Sequence, residues 1–146
     1  MEKIEDFLSP DEEEKIVQAI IEAEKETSGE IRVHVEKESS VETLKRAKEV
    51  FYYLKMDQTK EKNGVLFYVS VQDQKFAVIG DEGIDKVVPD DFWESVKEIV
   101  TTEFKKGNYS KGLESGILET GKKLQAYFPY SAKDDKNELS DEISKG

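Results

Sequence analysis

The stretch "NGVLFYVSVQ", residues 63–72, constrains the fold more than any other part of the sequence. It is almost entirely apolar and rich in β-branched and aromatic residues, which are typical of strands. Since neither side of such a strand is polar, it must be covered on both faces, like the central strands of α/β sheets. The polar turn "QDQ" and a second apolar run, "KFAVIG", follow it and predict an antiparallel hairpin.

The segments before this hairpin predict a β-α-β crossover. The stretch "EIRVHVEKE", residues 30–38, alternates between apolar and polar side chains, as a strand does. An amphipathic helix in "SSVETLKRAKEVFYYLKM", residues 39–56, links it to the apolar strand. Two strands joined through a helix in this way are parallel. The sheet is therefore predicted to be mixed, with one parallel pair and one antiparallel hairpin.

Three further helices are predicted around the sheet. The first lies in "LSPDEEEKIVQAIIEAEKETSG", residues 8–29, and starts with a capping box of Ser9 and Glu12. The last two span about 91–106 and 110–127, where apolar residues recur at helical spacing. Helices on both faces of a mixed sheet give the fold class α/β, as a three-layer α/β/α sandwich.

Composition narrows the class of protein. The 146 residues fit one domain, assigned to residues 1–129, followed by a polar and mobile tail over residues 130–146. The net charge of −11 opposes binding to nucleic-acid phosphates. The absence of cysteine excludes disulfides, zinc–thiolate sites, iron–sulfur clusters and cysteine nucleophiles. Because neither a signal peptide nor a membrane span is visible, we expect a soluble, cytoplasmic monomer.

The predicted topology brings three loops to one end of the sheet. The loops "TSGE" and "KEKNG" precede the two parallel strands, and "GDEG" follows the last strand of the hairpin. They carry Glu30, Asn63, Asp81 and Glu82, whose hard oxygen atoms suit calcium first and magnesium second. The pair Asp90 and Asp91 either extends this metal site or only caps the next helix. The alternative for all six residues is a solvated acidic loop, since the EF-hand pattern is absent.

Four stretches resemble the TPM domain family. They are "TSGEIRV", "KNGVLFYVS", "FAVIGDEGI" and "FKKGNYSKGLESGI", in the order in which that family carries them. The resemblance covers about residues 4–129 and is greatest to soluble, stand-alone bacterial members. It implies an α/β/α sandwich and a divalent metal, notably calcium, near the three loops. The family's plant members of the thylakoid lumen are associated with photosystem II repair and acid phosphatase activity.

Only some of the residues typical of the family's motifs are present in this chain. Asn63 and Gly64 match the family's Asn-Gly before the second strand, but Lys62 stands where many members have Asp. Gly80 matches the glycine after the third strand. Many members continue as Gly-x-Gly-x-Glu, whereas this chain has "GDEGI", so its acidic residues lie next to the first glycine.

The sequence leaves two functional classes open, and its catalytic residues are unknown. His34, the only histidine, lies mid-strand, which favours a structural role, and no Gly-rich P-loop is present. One class is a phosphatase-like hydrolase in which the metal polarises a phosphate ester that Lys60 or Lys62 attracts. The other is a binding module in which the metal orders the loops and a protein partner docks at this end of the sheet.

Overall fold

A four-stranded open sheet forms the centre of the molecule in the computed structural model, which describes residues 7–130 and 139–146. The strands are β1 (Glu30–Glu36), β2 (Gly64–Ser70), β3 (Lys75–Gly80) and β4 (Ser144–Lys145). Their order in the sheet is β3-β2-β1-β4. The β1 and β2 strands are parallel, and β2 and β3 form an antiparallel hairpin. The mixed sheet, the crossover and the hairpin are therefore confirmed.

Five helices surround this sheet. They are α1 (Pro10–Glu24), α2 (Thr43–Tyr53), α3 (Glu82–Asp85), α4 (Glu94–Lys105) and α5 (Tyr109–Leu124). The capping box of α1 is present, because Glu12 N donates to Ser9 Oγ at 3.1 Å and Ser9 N donates to Glu12 Oε1 at 2.9 Å. Helices on both faces of the sheet confirm the α/β/α sandwich.

The sheet separates two apolar cores, and β2 contributes to both. Val65 and Phe67 pack on the face covered by α1, α4 and α5. Leu66 and Tyr68 pack on the opposite face, where Ala47, Val50 and Phe51 of α2 meet them. All seven positions of β2 are buried, as the apolar stretch predicts. The hairpin and crossover are thus fixed by burial of one strand on both sides.

Three elements differ from the sequence predictions. The helix expected from Asp91 begins at Glu94, and Trp93 precedes it without a side-chain cap, so Asp91 does not form the expected capping box. The short helix α3 lies in a region where no helix was predicted. The strand β4 lies in the expected tail and pairs in parallel with β1. Residues 131–138 of that tail lie outside the described residues.

Gly121 allows α5 to pack closely on α1. A Cβ atom at this position would lie 2.8 Å from Ala23 Cβ and 3.0 Å from Ala23 O. Because one of these atoms belongs to the backbone of α1, a side chain at residue 121 would force the two helices apart. The glycine is therefore required by the helix–helix contact rather than by the conformation of α5.

We expect Gly121→Ala to destabilise the fold by about 1–3 kcal/mol, since overpacking of this contact outweighs the higher helix propensity of alanine. Urea unfolding followed by circular dichroism measures the change. The matched control is Lys122→Ala at the neighbouring exposed position of α5, which should change the free energy of unfolding by less than about 0.5 kcal/mol. Equal stabilities of the two variants would contradict the packing argument.

Candidate functional site

The three loops lie against one another at one end of the sheet. Glu30 N donates to Asn63 O at 3.3 Å, which joins the starts of β1 and β2. Asp81 N donates to Gly64 O at 2.9 Å, which adds the end of β3. The parallel crossover and the antiparallel hairpin dictate this arrangement, because strand ends of these polarities must share an edge. The backbone is thus arranged as the sequence predicts.

Gly83 holds the loop after β3 against the loop before β2. Its amide donates to Lys62 O at 2.9 Å. A Cβ atom at residue 83 would lie 2.3 Å from Glu61 O and 2.4 Å from Lys62 O, so no other residue fits without moving the backbone. The close contact fixes the position of α3, and therefore of the carboxylates that α3 carries.

Asp81 is the most unusual polar residue at this end of the sheet. It precedes α3 and is 7 % exposed. Its Oδ1 atom accepts a hydrogen bond from Glu82 N at 2.7 Å, while Oδ2 is enclosed and accepts none from the described residues. Burial raises the pKa of this carboxyl above its usual range. A buried oxygen atom without a donor is costly, and a water molecule or an ion can supply the missing partner.

A cleft of about 370 Å³ opens beside Asp81, between α2 and the end of β3. Asp85, one helical turn further along α3, also lines it, as does Lys48 from α2. Burial and the nearby charge of Asp81 raise the pKa of Asp85, while Lys48 opposes the shift. The remaining lining residues are Phe51, Tyr52, Val78, Ile79, Gly80, Glu82 and Trp93. The cleft therefore combines two coupled carboxylates, one cation and an aromatic wall.

The structure separates most of the other predicted metal ligands from Asp81. Glu82 is exposed at the rim of the cleft, whereas Asp90 and Asp91 are exposed in the turn before α4 and do not line it. The Asn63 side chain turns toward the start of β1, where its Nδ2 donates to Ser28 Oγ at 3.2 Å. Within residues 7–130 and 139–146, no three acidic or histidine side chains are grouped closely enough to hold one metal ion.

The two lysines expected to attract phosphate do not line the cleft either. Lys62 Nζ donates to Asp57 O at 2.5 Å and thereby holds its own loop. Lys60 is exposed on the same loop. Lys48 takes the position that these residues were expected to occupy. Sequence reasoning missed it because its contact with α3 spans almost forty positions, and it missed Asp85 because α3 is too short to give a periodic signal.

The side chain of Glu30 contacts the last part of the chain. It is buried, and its Oε1 accepts a hydrogen bond from Leu139 N at 2.7 Å. Glu24 lies nearby, accepts a hydrogen bond from Ile31 N at 3.0 Å and bonds to Asp141 through their side chains. Burial, the bond to Asp141 and the charges of Asp141 and Glu30 raise the pKa of Glu24 to about 9. Glu24 therefore keeps its proton at neutral pH.

A second buried network surrounds Glu36, at the end of β1. Arg46 donates to both of its carboxylate oxygens, from Nε at 2.9 Å and from Nη2 at 3.0 Å. The Tyr68 hydroxyl donates to Oε2, and His34 Nε2 lies 3.1 Å from Oε1. Burial alone would raise the pKa of Glu36, but these hydrogen bonds outweigh it and lower the pKa to about 2. Burial also lowers the pKa of His34, which agrees with its expected structural role.

A profile described as the TPM domain matches residues 2–123. The chain belongs to the TPM domain family. The BA42 protein from the psychrophilic bacterium Bizionia argentinensis, solved by NMR, is 53 % identical to this TPM domain, with full coverage of both chains and a TM-score of 0.93. A search of curated proteins found no match.

Two more distant solution structures share the fold of this TPM domain. The N-terminal domain of a P. gingivalis protein has a TM-score of 0.66 at 19 % identity, covering 84 % of this chain and 79 % of that one. The N-terminal domain of the cg2496 protein from Corynebacterium glutamicum has a TM-score of 0.64 at 8 % identity, covering 95 % and 80 %. Within the described part of this TPM domain, no helix is long and apolar enough to cross a bilayer.

We expect the stability of this TPM domain to fall as the pH rises from 4.5, the ordinary pKa of Glu24, toward 9, its pKa in the folded state. Over this range the folded protein holds a proton that the unfolded chain releases. The variant Glu24→Gln keeps a donor for Asp141 and an acceptor for Ile31 N without needing that proton. At the upper end of the range it should be more stable than the wild type, by on the order of 1 kcal/mol or more.

Urea unfolding at several pH values measures this difference. Glu22→Gln is the matched control, because Glu22 is exposed on the same helix and pairs only with Lys25 among the described residues. Its stability should follow the wild-type pH profile. If Glu24→Gln follows that profile too, the proton on Glu24 is not linked to folding.

Proposed function

We propose that this TPM domain binds a divalent cation, calcium first and magnesium second, in the cleft at the end of β3. The enclosed Oδ2 of Asp81, which accepts no hydrogen bond from the described residues, is the observation that carries this proposal. A hard cation is the natural partner of such an oxygen, because it replaces the missing donor and stabilises the ionised carboxylate. The other oxygen of Asp81 remains occupied by the cap of α3.

The charge pattern of the cleft supports the same function. Burial raises the pKa of both Asp81 and Asp85, and the charge of Asp81 raises the pKa of Asp85 further. A bound cation would reverse this repulsion and hold both groups ionised. Glu82, at the rim of the cleft, supplies a third carboxylate within reach of solvent. Since the described residues offer few direct ligands, water would complete the coordination, which both cations accept.

We expect Asp81→Asn to weaken calcium binding about tenfold or more, since it removes one charge and one anionic ligand. Asparagine keeps an oxygen that can accept the hydrogen bond from Glu82 N, so α3 should remain capped. Calcium and magnesium titrations by isothermal calorimetry measure the affinity, and amide shifts in NMR spectra locate the site. Shifts should concentrate at Asp81 and Asp85.

The control for this titration is Asp90→Asn, which makes the same chemical change at an exposed residue outside the cleft. It should bind calcium like the wild type. Equal affinities of the two variants, or shifts centred on Glu30, would contradict a cation site at Asp81.

Hydrolysis of phosphate esters is the second candidate, and the position of Lys48 favours it. Lys48 lines the cleft with Asp85, its positive charge stabilises the ionised form of that carboxyl, and its ammonium group can pair with a phosphate oxygen there. A bound cation would polarise the phosphate and activate water. The chain itself would position the ester between Lys48 and the aromatic wall formed by Tyr52 and Trp93.

For this activity we expect Lys48→Met to lower kcat/KM for a generic phosphate ester by about 10²-fold or more, because the charge that pairs with the phosphate is lost. Calcium affinity should not fall, since Lys48 repels the cation. Phosphate release is measured in parallel with calcium titration. The matched control is Lys45→Met on the same helix, outside the cleft. Activity that survives both Asp81→Asn and chelation would come from another site or a contaminant.

A further inference from the structure

Residues 139–146 follow the free edge of β1, from Leu139 beside Glu30 to Gly146 beside Val35, and Ser144–Lys145 among them form the added strand β4. Ser144 and Lys145 pair in parallel with His34 and Val35. Gly146 N donates to Val35 O at 3.0 Å, which extends the pairing to the last residue. We call residues 139–146 the terminal strand, and the part of β1 and α1 that it contacts the edge groove. Pairing of this kind is the mode by which sheets bind extended peptides.

Side chains of the edge groove contact the terminal strand at regular intervals. Leu139 and Ile143 pack against the two apolar cores, one on each face of the sheet. His34 Nδ1 and Ser144 Oγ are hydrogen-bonded at 2.9 Å, and Lys145 Nζ lies 2.8 Å from Glu13 Oε1. The groove therefore has both apolar and polar positions, and these are complementary to the side chains of residues 139–146.

Gly146 has little room for a side chain. A Cβ atom on Gly146 would lie 2.9 Å from His34 Nε2 and 3.1 Å from Glu36 Oε1. Shifting these side chains would disturb other contacts, because the His34 ring stacks on Tyr68 and Glu36 accepts hydrogen bonds from Arg46. A larger residue would therefore displace the buried His34 and Glu36 side chains. We expect this position of the groove to select strands with glycine there.

Several residues of the sheet obtain their hydrogen bonds from the terminal strand. Glu30 and His34 are buried polar residues, and the partners of Glu30 Oε1 and His34 Nδ1 among the described residues are Leu139 N and Ser144 Oγ. Without an occupant, the edge of β1 would also expose unpaired backbone groups. The edge groove is thus built to hold a strand, although that strand follows Tyr130 only after a connection of eight residues, 131–138.

We propose that the edge groove is a peptide-binding site for an extended strand with the pattern Leu-x-Asp-x-Ile-Ser-Lys-Gly, and that a second copy of this chain supplies this strand by exchange. The pattern is the one on residues 139–146, whose contacts define the groove. The chain's own strand is covalently attached to its groove, so a strand from another copy competes with it more strongly as the chain concentration rises, as in domain swapping.

The test uses the full chain with Gly146→Val, labelled with nitrogen-15, so that its own strand is released while the groove stays intact. We expect the amide signals of His34 and Val35 to leave their wild-type positions. An unlabelled peptide of residues 139–146 should return them in a saturable titration at roughly millimolar peptide. The matched peptide with Gly146→Val should bind about tenfold more weakly or worse. Failure of the wild-type peptide to move these signals overturns the proposal.

A second variant, Ser144→Pro, tests the same contacts independently of Gly146→Val. Ser144→Pro removes the hydroxyl that bonds His34 and a backbone N–H from the terminal strand. If both variants keep the wild-type signals of β1, the strand is not recognised through these contacts and the proposal is wrong.

The source of the strand is tested by mixing the labelled Gly146→Val chain with unlabelled wild-type chain. Delivery of the strand by the wild-type copy should restore the β1 signals and produce a species of twice the mass in light scattering. Restoration by the peptide without restoration by the wild-type chain, at matched concentrations, would rule out a second copy as the occupant.

Discussion

All seven residues of β2 are buried, and this burial organises the rest of the molecule. A strand with two apolar faces requires a layer on each side, so α1, α4 and α5 cover one face and α2 covers the other. The cleft lies beside the end of β3 and is lined by residues of α2 and α3. The position of the cleft thus follows from the need to cover both faces of β2, because this need places α2 on the sheet.

Four acidic residues with shifted pKa values, Asp81, Asp85, Glu24 and Glu36, occupy three environments that differ in what balances their charge. The Asp81 and Asp85 pair is balanced only in part, by Lys48 and Lys62. Glu24 is balanced by a proton, and Glu36 by the guanidinium of Arg46. Burial acts against ionisation in every case, so the compensating group decides the outcome. In the first environment, Asp81 Oδ2 accepts no hydrogen bond from the described residues.

The topology of β1, β2 and β3 could be predicted from the sequence, whereas α3, β4 and the side-chain contacts of the site could not. The helix between β1 and β2 and the short turn after β2 determine the strand directions, and those directions bring the loops together. The hydrogen bond between the Glu30 side chain and Leu139 N could not be predicted, because the two residues lie more than a hundred positions apart in the sequence. The role of Asp85 was missed for the opposite reason. Its position depends on α3, a single turn of helix that is too short to give a periodic pattern in the sequence. The start of α4 at Glu94 shows that a suitable capping pattern at Asp91 does not oblige the helix to begin there.

The helix α2 connects two places that are otherwise separate on the sheet. Arg46 binds Glu36, which contacts His34 and through it Ser144 of the terminal strand, while Lys48 lines the cleft two residues further along. Any displacement of α2 alters both surroundings at once. Thermodynamic linkage makes such an effect reciprocal: if loading the cleft shifts α2, it changes the hold on the terminal strand by the same factor that the strand changes the affinity of the cleft.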